Sequence, residues 1–212
     1  MGLSWWTVDA QTRERSLVGV DVAGHGICPW WVGYLPASPL RRLVVDPGHL
    51  LAPFVHAGMT VLEPGPGLGF FTLEMARLVG PAGRVIAVDV EPQMIKGLQR
   101  RARRAGLHDR IDARLVQPTS MTLGEAEGTV DFVFACAVVH EMPAPTPFFA
   151  ETARAMKPGA AFLLAEPAGR VNGEKFVGEL AAAAQAGLVA ISHQPLRGSR
   201  AALLCKPTSW VG

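Results

Sequence analysis

Three glycines at alternate positions follow an apolar run, and this spacing indicates a turn that holds a ligand. The segment Val61–Ala76 reads VLEPGPGLGFFTLEMA, in which the apolar run reaches Glu63 and Gly65, Gly67 and Gly69 follow. Glycine has no side chain to keep the backbone away from a ligand, and it readily adopts positive φ angles. A helix that begins after the turn would direct its free N–H groups at the same place. The segment therefore predicts a site for a small polar ligand.

The glycine spacing argues against a nicotinamide or flavin dinucleotide. The dinucleotide fingerprint G-x-G-x-x-G requires its third glycine where this chain has Phe70. The segment resembles instead motif I of the class I S-adenosylmethionine-dependent methyltransferases, an acidic residue followed by x-G-x-G-x-G. The resemblance extends from about Asp46 to Lys206 and is closest to the small-molecule branch with the ubiquinone/menaquinone and arsenite methyltransferases. It implies S-adenosylmethionine as the cofactor and S-adenosylhomocysteine as the product.

A second acidic residue stands where this family has its ribose ligand. Asp89 ends the run GRVIAVD, and its two carboxylate oxygens match the two hydroxyl donors of a ribose. The residues from Val90 to Met94 would border the adenine. The family commonly has an acid for the adenine amino group after the third strand, whereas this chain reads VQPTSM, which leaves Gln117, Thr119 or Ser120. The resemblance implies that the cofactor contacts are Glu63, Gly65, Pro66, Gly67, Gly69, Asp89, Val90, Met94, Thr119, Ser120 and Ala135.

The segment FACAVVHEMPAP, at and beyond the carboxyl end of the fourth predicted strand, carries the candidate side chains for the methyl acceptor. Methyl transfer is an in-line displacement that depends on alignment and exclusion of water, and only a hydroxyl or ammonium acceptor needs a base. His140 is the candidate base or orienting group, with a loop-capping histidine as the alternative. Glu141 either orients His140 or faces water. Cys136 is expected in the core rather than as a nucleophile, and Glu166 as a solvated loop acid rather than an acceptor ligand.

The N-terminal segment is interpreted as an apolar lid over the acceptor. It shows no sustained hydrophobic period and contains HGICPWW. His25 and Cys28 could share a metal with His140, but structural zinc normally has four ligands, so no metal site is predicted. The lid residues expected to contact the acceptor are His25, Cys28, Trp30, Trp31 and Tyr34.

Strand and helix patterns that alternate along the chain would position these residues. Strands are predicted at 59–65, 83–90, 110–116, 129–139 and 160–167, with helices between them, and the strands LVAISHQ and RAALLCK follow near the end. This order predicts a Rossmann-like, doubly wound α/β fold with a mainly parallel seven-stranded sheet and an antiparallel last strand. Residues 1–45 are predicted to form the extension and lid, with short lid helices between Ser38 and Val55, and residues 46–212 the cofactor-binding domain.

Composition argues against several classes of partner. The formal net charge is +2 and the chain has no long basic stripe, so a nucleic acid is not expected, and the arginines between Arg100 and Arg104 are expected on an exposed helix face. The three cysteines are widely spaced, which fits a reducing cytoplasm. No apolar run reaches the roughly 18 residues that span a bilayer, so stable membrane insertion is not expected. A homodimer is one assembly that the sequence allows.

Two other functions are compatible with the fold. A non-catalytic protein could sense S-adenosylmethionine or scaffold a partner, but such a protein has no physical need for the intact glycine turn and Asp89. An oxidoreductase is opposed by the position of the third glycine and by the lack of a Tyr/Lys pair, since the only tyrosine is Tyr34. The sequence therefore predicts a methyltransferase that acts on a small-molecule acceptor.

Overall fold

Strands and helices alternate along the described chain. The structure is a computed structural model that describes residues 46–142, 144–194 and 196–208. Its strands are β1 (Thr60–Pro64), β2 (Arg84–Asp89), β3 (Ile111–Leu115), β4 (Val130–Cys136), β5 (Met156–Pro167), β6 (Val189–His193) and β7 (Ser199–Cys205). Its α-helices are α1 (Pro47–Leu51), α2 (Thr72–Leu78), α3 (Pro92–Arg104), α4 (Pro145–Ala155) and α5 (Gly173–Gln185).

The strands form one sheet in the order β3-β2-β1-β4-β5-β7-β6. Strands β1 to β5 are parallel, while β7 is antiparallel to both β5 and β6. The mainly parallel sheet with an antiparallel last strand is therefore confirmed. The strand order reverses between β1 and β4, and the crevice at such a reversal is where open α/β sheets bind ligands.

Apolar side chains cover both faces of the sheet because the parallel strands are apolar on both sides. One core cluster joins Phe148 and Phe149 of α4 and Phe176 of α5 to Phe162 and Leu164 of β5. The other cluster joins α1 and α2 to the opposite face, where Leu163 of β5 points. Neighbouring residues of β5 thus alternate between the two cores, as the period of a strand requires.

Side chains that accept from backbone N–H groups set the starts of three helices. Asp46 accepts from Gly48 and His49 at the start of α1, and Asn172 accepts from Lys175 at the start of α5. Glu91 accepts from the Gln93 N–H at the start of α3, directly after β2. These caps satisfy N–H groups that have no partner within the helix.

The strand β5 is longer than the sequence predicts. It begins at Met156 rather than near Ala160, because its pairing with β4 shifts register between Val130 and Phe132. Gly159, with a φ angle of +81°, lies within this irregular part. The first predicted lid helix lies outside the described residues, and α1 matches the second. Among the described residues, no helix is long and apolar enough to span a bilayer.

Candidate functional site

The glycine turn between β1 and α2 is packed at its ends and open in its middle. Gly65, Gly67 and Gly69 have positive φ angles of +67°, +54° and +82°. A Cβ atom at Gly65 would lie 2.8 Å from Val138 Cγ2, and one at Gly69 would collide with the Leu98 side chain. A Cβ atom at Gly67 would meet none of the described atoms within 4 Å. A ligand can therefore lie against the backbone at Gly67.

Buried polar contacts hold this turn in place. The Glu63 carboxylate is buried and accepts a hydrogen bond from Thr72 Oγ1 at 2.5 Å, which joins the end of β1 to the start of α2. Arg101 of α3 donates to the Leu68 carbonyl oxygen at 2.5 Å. Arg101 is half-buried, so the prediction that the whole arginine run faces solvent is wrong at this position. The reason is that the turn presents a backbone acceptor to α3.

Asp89 lies beside the open part of the glycine turn. It ends β2, as the sequence predicts, and its Oδ1 accepts from the Glu91 N–H at 2.9 Å. Burial raises the pKa of the Asp89 carboxyl, and the backbone amides of Glu91, Gly67 and Val90 oppose this shift. The interaction with the Gly67 amide brings the two sequence motifs together. Val90, beside them, is 53% exposed, which gives this edge an apolar surface.

The remaining cofactor candidates lie at different depths. Thr119 and Ser120 are exposed in the loop after β3, and Met94 is half-buried near the start of α3. The Val116 N–H donates to the Asp89 carbonyl oxygen at 3.0 Å, which brings the start of this loop next to Asp89. Ala135 is fully buried inside β4, so its side chain packs in the core.

His140 lies in a short 3₁₀ turn, Val139–Glu141, just beyond the carboxyl end of β4. Its side chain is 9% exposed, and Nδ1 forms a short hydrogen bond with Glu166 Oε2. Its Nε2 is buried and has no hydrogen-bond partner among the described residues. The loop is next to the cofactor candidates, because Val138 packs against Gly65. The turn therefore places the imidazole beside the glycine turn, and no described residue forms a hydrogen bond with Nε2.

Glu166, not Glu141, is the carboxylate that contacts Nδ1 of His140. Glu166 is fully buried in β5, so the expectation of a solvated loop acid is wrong. Its Oε1 accepts from the N–H groups of Val138 and Val139 at 3.2 and 2.8 Å. Burial raises the pKa of Glu166, and these amides and His140 oppose that rise. Glu141 is 63% exposed, with Oε1 at 3.9 Å from His140 Nε2.

A second carboxylate, Glu179 of α5, is buried near Glu166. It is 7% exposed, and its Oε2 has no hydrogen-bond partner among the described residues. Burial and the negative charge of Glu166 raise the pKa of Glu179 to about 7, against the opposing charge of Lys175. Glu179 is not among the residues that the sequence predicts for the site. Its spacing from Phe176 and Ala183 on the buried face of α5 was the available signal.

Other predicted residues fall in the core or outside the described chain. Cys136 is half-buried against one core cluster, as expected. Within 46–142, 144–194 and 196–208 no group of three or more His, Cys, Asp or Glu side chains is placed to hold a metal. The predicted lid contacts lie outside the described residues, and their role stays a prediction: His25, Cys28, Trp30, Trp31 and Tyr34.

The sequence matches a family model and several curated methyltransferases. Residues 62–164 match the model described as "Methyltransferase domain". The ribosomal protein L11 methyltransferase of Alteromonas mediterranea is 32% identical, over 43% of this chain and 35% of its own length. The arsenite methyltransferase of Halobacterium salinarum is 30% identical, over 67% and 39%. The ubiquinone/menaquinone biosynthesis C-methyltransferase of Klebsiella pneumoniae is 29% identical, over 53% and 44%. The chain thus spans less than half the length of these three relatives.

The fold also matches a solved structure over nearly the whole length of that structure. A SAM-dependent methyltransferase from Aquifex aeolicus is 26% identical, with a TM-score of 0.70 over 81% of this chain and 96% of that one. The family match begins within β1 and includes β2, β3 and β4. The glycine turn, Asp89 and the loop after β3 lie at the carboxyl ends of β1, β2 and β3, and we name these ends the cofactor edge. Since sequence, fold and the geometry of that edge agree, the chain belongs to the class I S-adenosylmethionine-dependent methyltransferases.

Proposed function

We propose that this chain transfers the methyl group of S-adenosylmethionine to a small molecule, and that His140 is the base for acceptors that carry a proton. The observation that carries the proposal is the hydrogen bond between His140 and the buried Glu166, next to the glycine turn. When bound, S-adenosylmethionine supplies an electrophilic methyl group. The described residues would hold this cofactor, and His140 would accept the proton.

The residues of the cofactor edge fit S-adenosylmethionine. The backbone at Gly67 leaves open a space that a ligand can occupy and that a side chain at this position would fill. Asp89, next to Gly67, offers its carboxylate oxygens to a ribose. The exposed side chain of Val90 offers an apolar contact to a base. Thr119 and Ser120 are proposed to meet the polar edge of the adenine.

Glu166 determines which nitrogen of the His140 ring carries the proton. The two backbone N–H groups that donate to its Oε1 oppose the effect of burial on its pKa, and they favour a carboxylate that also accepts from Nδ1–H. This hydrogen bond leaves the lone pair on Nε2, the nitrogen without a partner among the described residues. As the acceptor's oxygen or nitrogen bonds to the methyl carbon and the C–S electron pair returns to sulfur, Nε2 takes the acceptor's proton.

The proposed acceptor is a small molecule because two of the relatives are named for small-molecule methylation. The names of these two relatives refer to arsenite and to ubiquinone/menaquinone biosynthesis, whereas the name of a third refers to ribosomal protein L11. Small-molecule acceptors differ from one another in their need for a base. A phenol or an amine must lose a proton, whereas arsenite or a thiolate attacks without help.

The first experiment measures binding and turnover with the same sample. Calorimetric titration with S-adenosylmethionine and S-adenosylhomocysteine is expected to show binding of both. Formation of S-adenosylhomocysteine is then measured with a phenol, a primary amine, a thiol and arsenite. A folded protein that binds neither nucleoside would contradict the proposal. Binding without turnover of any acceptor class would favour the non-catalytic alternative.

His140→Ala tests the role of the base. We expect kcat to fall by about 100-fold or more for a phenol or amine, because general-base catalysis typically contributes that much, with little change for a thiol. The affinity for S-adenosylhomocysteine should stay within about twofold of wild type, because His140 is not among the proposed cofactor contacts. His56→Ala is the matched control, since His56 is an exposed histidine. Full activity of His140→Ala on a phenol or amine would remove His140 as the base.

A further inference from the structure

A carboxylate of α4 binds a loop from another part of the chain. Glu151 Oε2 accepts from the Met121 N–H at 2.9 Å, and its Oε1 accepts from the Leu123 N–H at 3.0 Å. Oε1 also accepts from Ser120 Oγ at 3.3 Å. All three donors lie between β3 and β4, in residues 116–123, which we name the adenine loop. Both oxygens of Glu151 thus bind the same loop.

The adenine loop has a conformation that needs outside partners. Thr122 has a φ angle of +53°, in a region that residues other than glycine rarely adopt. Its N–H donates to Ser120 Oγ at 3.0 Å, the same hydroxyl that contacts Glu151. Met121 and Leu123, on either side of Thr122, are buried at 7% and 2% exposure. Glu151 satisfies the backbone N–H groups of these two buried residues, which would otherwise lack partners in the core.

The loop lies at the cofactor edge of the sheet. Its first residue donates to the carbonyl oxygen of Asp89, the proposed ribose ligand. Its exposed residues include Thr119 and Ser120, the proposed partners of the adenine. A carboxylate that fixes the backbone immediately after them therefore controls where these two side chains point.

We propose that Glu151 is a positioning residue, which holds the adenine loop in the shape that recognises the amino group of the adenine. The inference rests on the proposed cofactor contacts of Thr119 and Ser120. It concerns the base end of the cofactor only, because the glycine turn and Asp89 have their own supports. Loss of Glu151 should therefore weaken base recognition and leave the contacts with the ribose and the amino acid portion in place.

Glu151→Gln tests this with two nucleosides that differ at one position. The dissociation constants of S-adenosylhomocysteine and S-inosylhomocysteine, in which an oxygen replaces the adenine amino group, are measured by calorimetry. We expect about tenfold weaker binding of S-adenosylhomocysteine, on the order of one charge-assisted hydrogen bond, and a change of less than about threefold for the inosyl compound. Glu127→Gln removes an exposed carboxylate in the same region and is the matched control.

Hydrogen exchange at individual amides distinguishes a local change in the adenine loop from a general loss of stability. The amides of Met121 and Leu123 should exchange faster in Glu151→Gln, while those of Gly65 and Gly67 stay unchanged. If Glu151→Gln does not fold, Glu151→Asp, which keeps the charge but withdraws the carboxylate by one methylene group, should reduce the preference for the adenosyl over the inosyl compound by a smaller factor. Faster exchange with an unchanged preference for adenine would overturn the inference. Failure of the wild type to bind S-adenosylhomocysteine would instead overturn the proposed function.

Discussion

Removal of the charge on Glu179 should stabilise the protein at alkaline pH and leave it almost unchanged at acid pH. Glu179 is 7% exposed, and its pKa is raised from 4.5 to about 7 by burial and by Glu166. Between these two pH values the carboxyl is ionised in the unfolded chain and protonated in the folded protein. The unfolded state then binds fewer protons, so the stability falls as the pH rises. The contribution of the protonated Glu179 carboxyl to the free energy of unfolding is fully present below about pH 4.5, and it is lost as the pH rises through about 7.

The magnitude follows from the difference between the two pKa values. The shift from 4.5 to about 7 is roughly 2.5 units, and each unit corresponds to about 1.4 kcal/mol. Ionisation of Glu179 should therefore lower the free energy of unfolding by up to about 3 kcal/mol between pH 5 and pH 8. Glu179→Gln removes this loss because glutamine does not ionise. The melting temperature of the variant should exceed that of wild type by up to roughly 6 to 12 °C at pH 8.

Urea unfolding at pH 5, 6, 7 and 8 measures this difference directly. The control is Glu174→Gln, an exposed carboxylate on the same helix, which should give a difference that hardly depends on pH. A gap between Glu179→Gln and wild type that is the same at pH 5 and pH 8 would refute the reasoning. A wild type that is the more stable protein at pH 8 would also refute it, because Glu179 would then have a stabilising partner when ionised.

Two further predictions concern the cofactor edge. Asp89→Ala should weaken S-adenosylhomocysteine binding by about 10- to 100-fold, because hydrogen bonds to a charged group contribute roughly 1.5 to 3 kcal/mol, and unchanged affinity in calorimetry would remove Asp89 from the site. Gly69→Ala should lower the free energy of unfolding by about 2 to 4 kcal/mol, since its positive φ and the collision with Leu98 both oppose a side chain. Gly67→Ala should lower it by only about 1 to 2 kcal/mol and mainly abolish cofactor binding, because its Cβ would occupy the open position. Equal effects of the two alanines on stability would contradict this division.

The geometry of the glycine turn and the position of Asp89 could be predicted because their determinants are local in sequence. Gly65, Gly67 and Gly69 are needed for positive φ angles in a single turn, and no other residue type adopts these angles as easily. Asp89 ends a strand whose limits are evident from its apolar run. The order of the elements then brings these two segments to one edge of the sheet. Each step depends on neighbours along the chain, which a sequence displays.

The partners of His140 could not be predicted in the same way. The sequence places Glu141 next to His140 and leaves two alternatives for it, to orient the ring or to face water. In the fold, β5 pairs with β4, and this pairing brings Glu166 to Nδ1 from 26 positions away. The choice between a solvated acid and a buried one depends on whether the carboxyl end of β5 is covered. The 3₁₀ turn that carries His140 covers it, and only the assembled fold shows this.

The acidic residues at the cofactor edge share a task that their sequence positions do not reveal. Glu63 accepts from Thr72, Glu151 from the adenine loop, and Glu166 from the turn that carries His140. Asp89 accepts from the amide that follows it by two residues. A carboxylate has two acceptor oxygens and no donor when ionised, so it can hold a nearby segment by accepting from it, from backbone N–H groups at Asp89, Glu151 and Glu166 and from a hydroxyl at Glu63. Substitution of each glutamate by glutamine should therefore loosen one particular loop, and hydrogen exchange would identify which ligand contact depends on it.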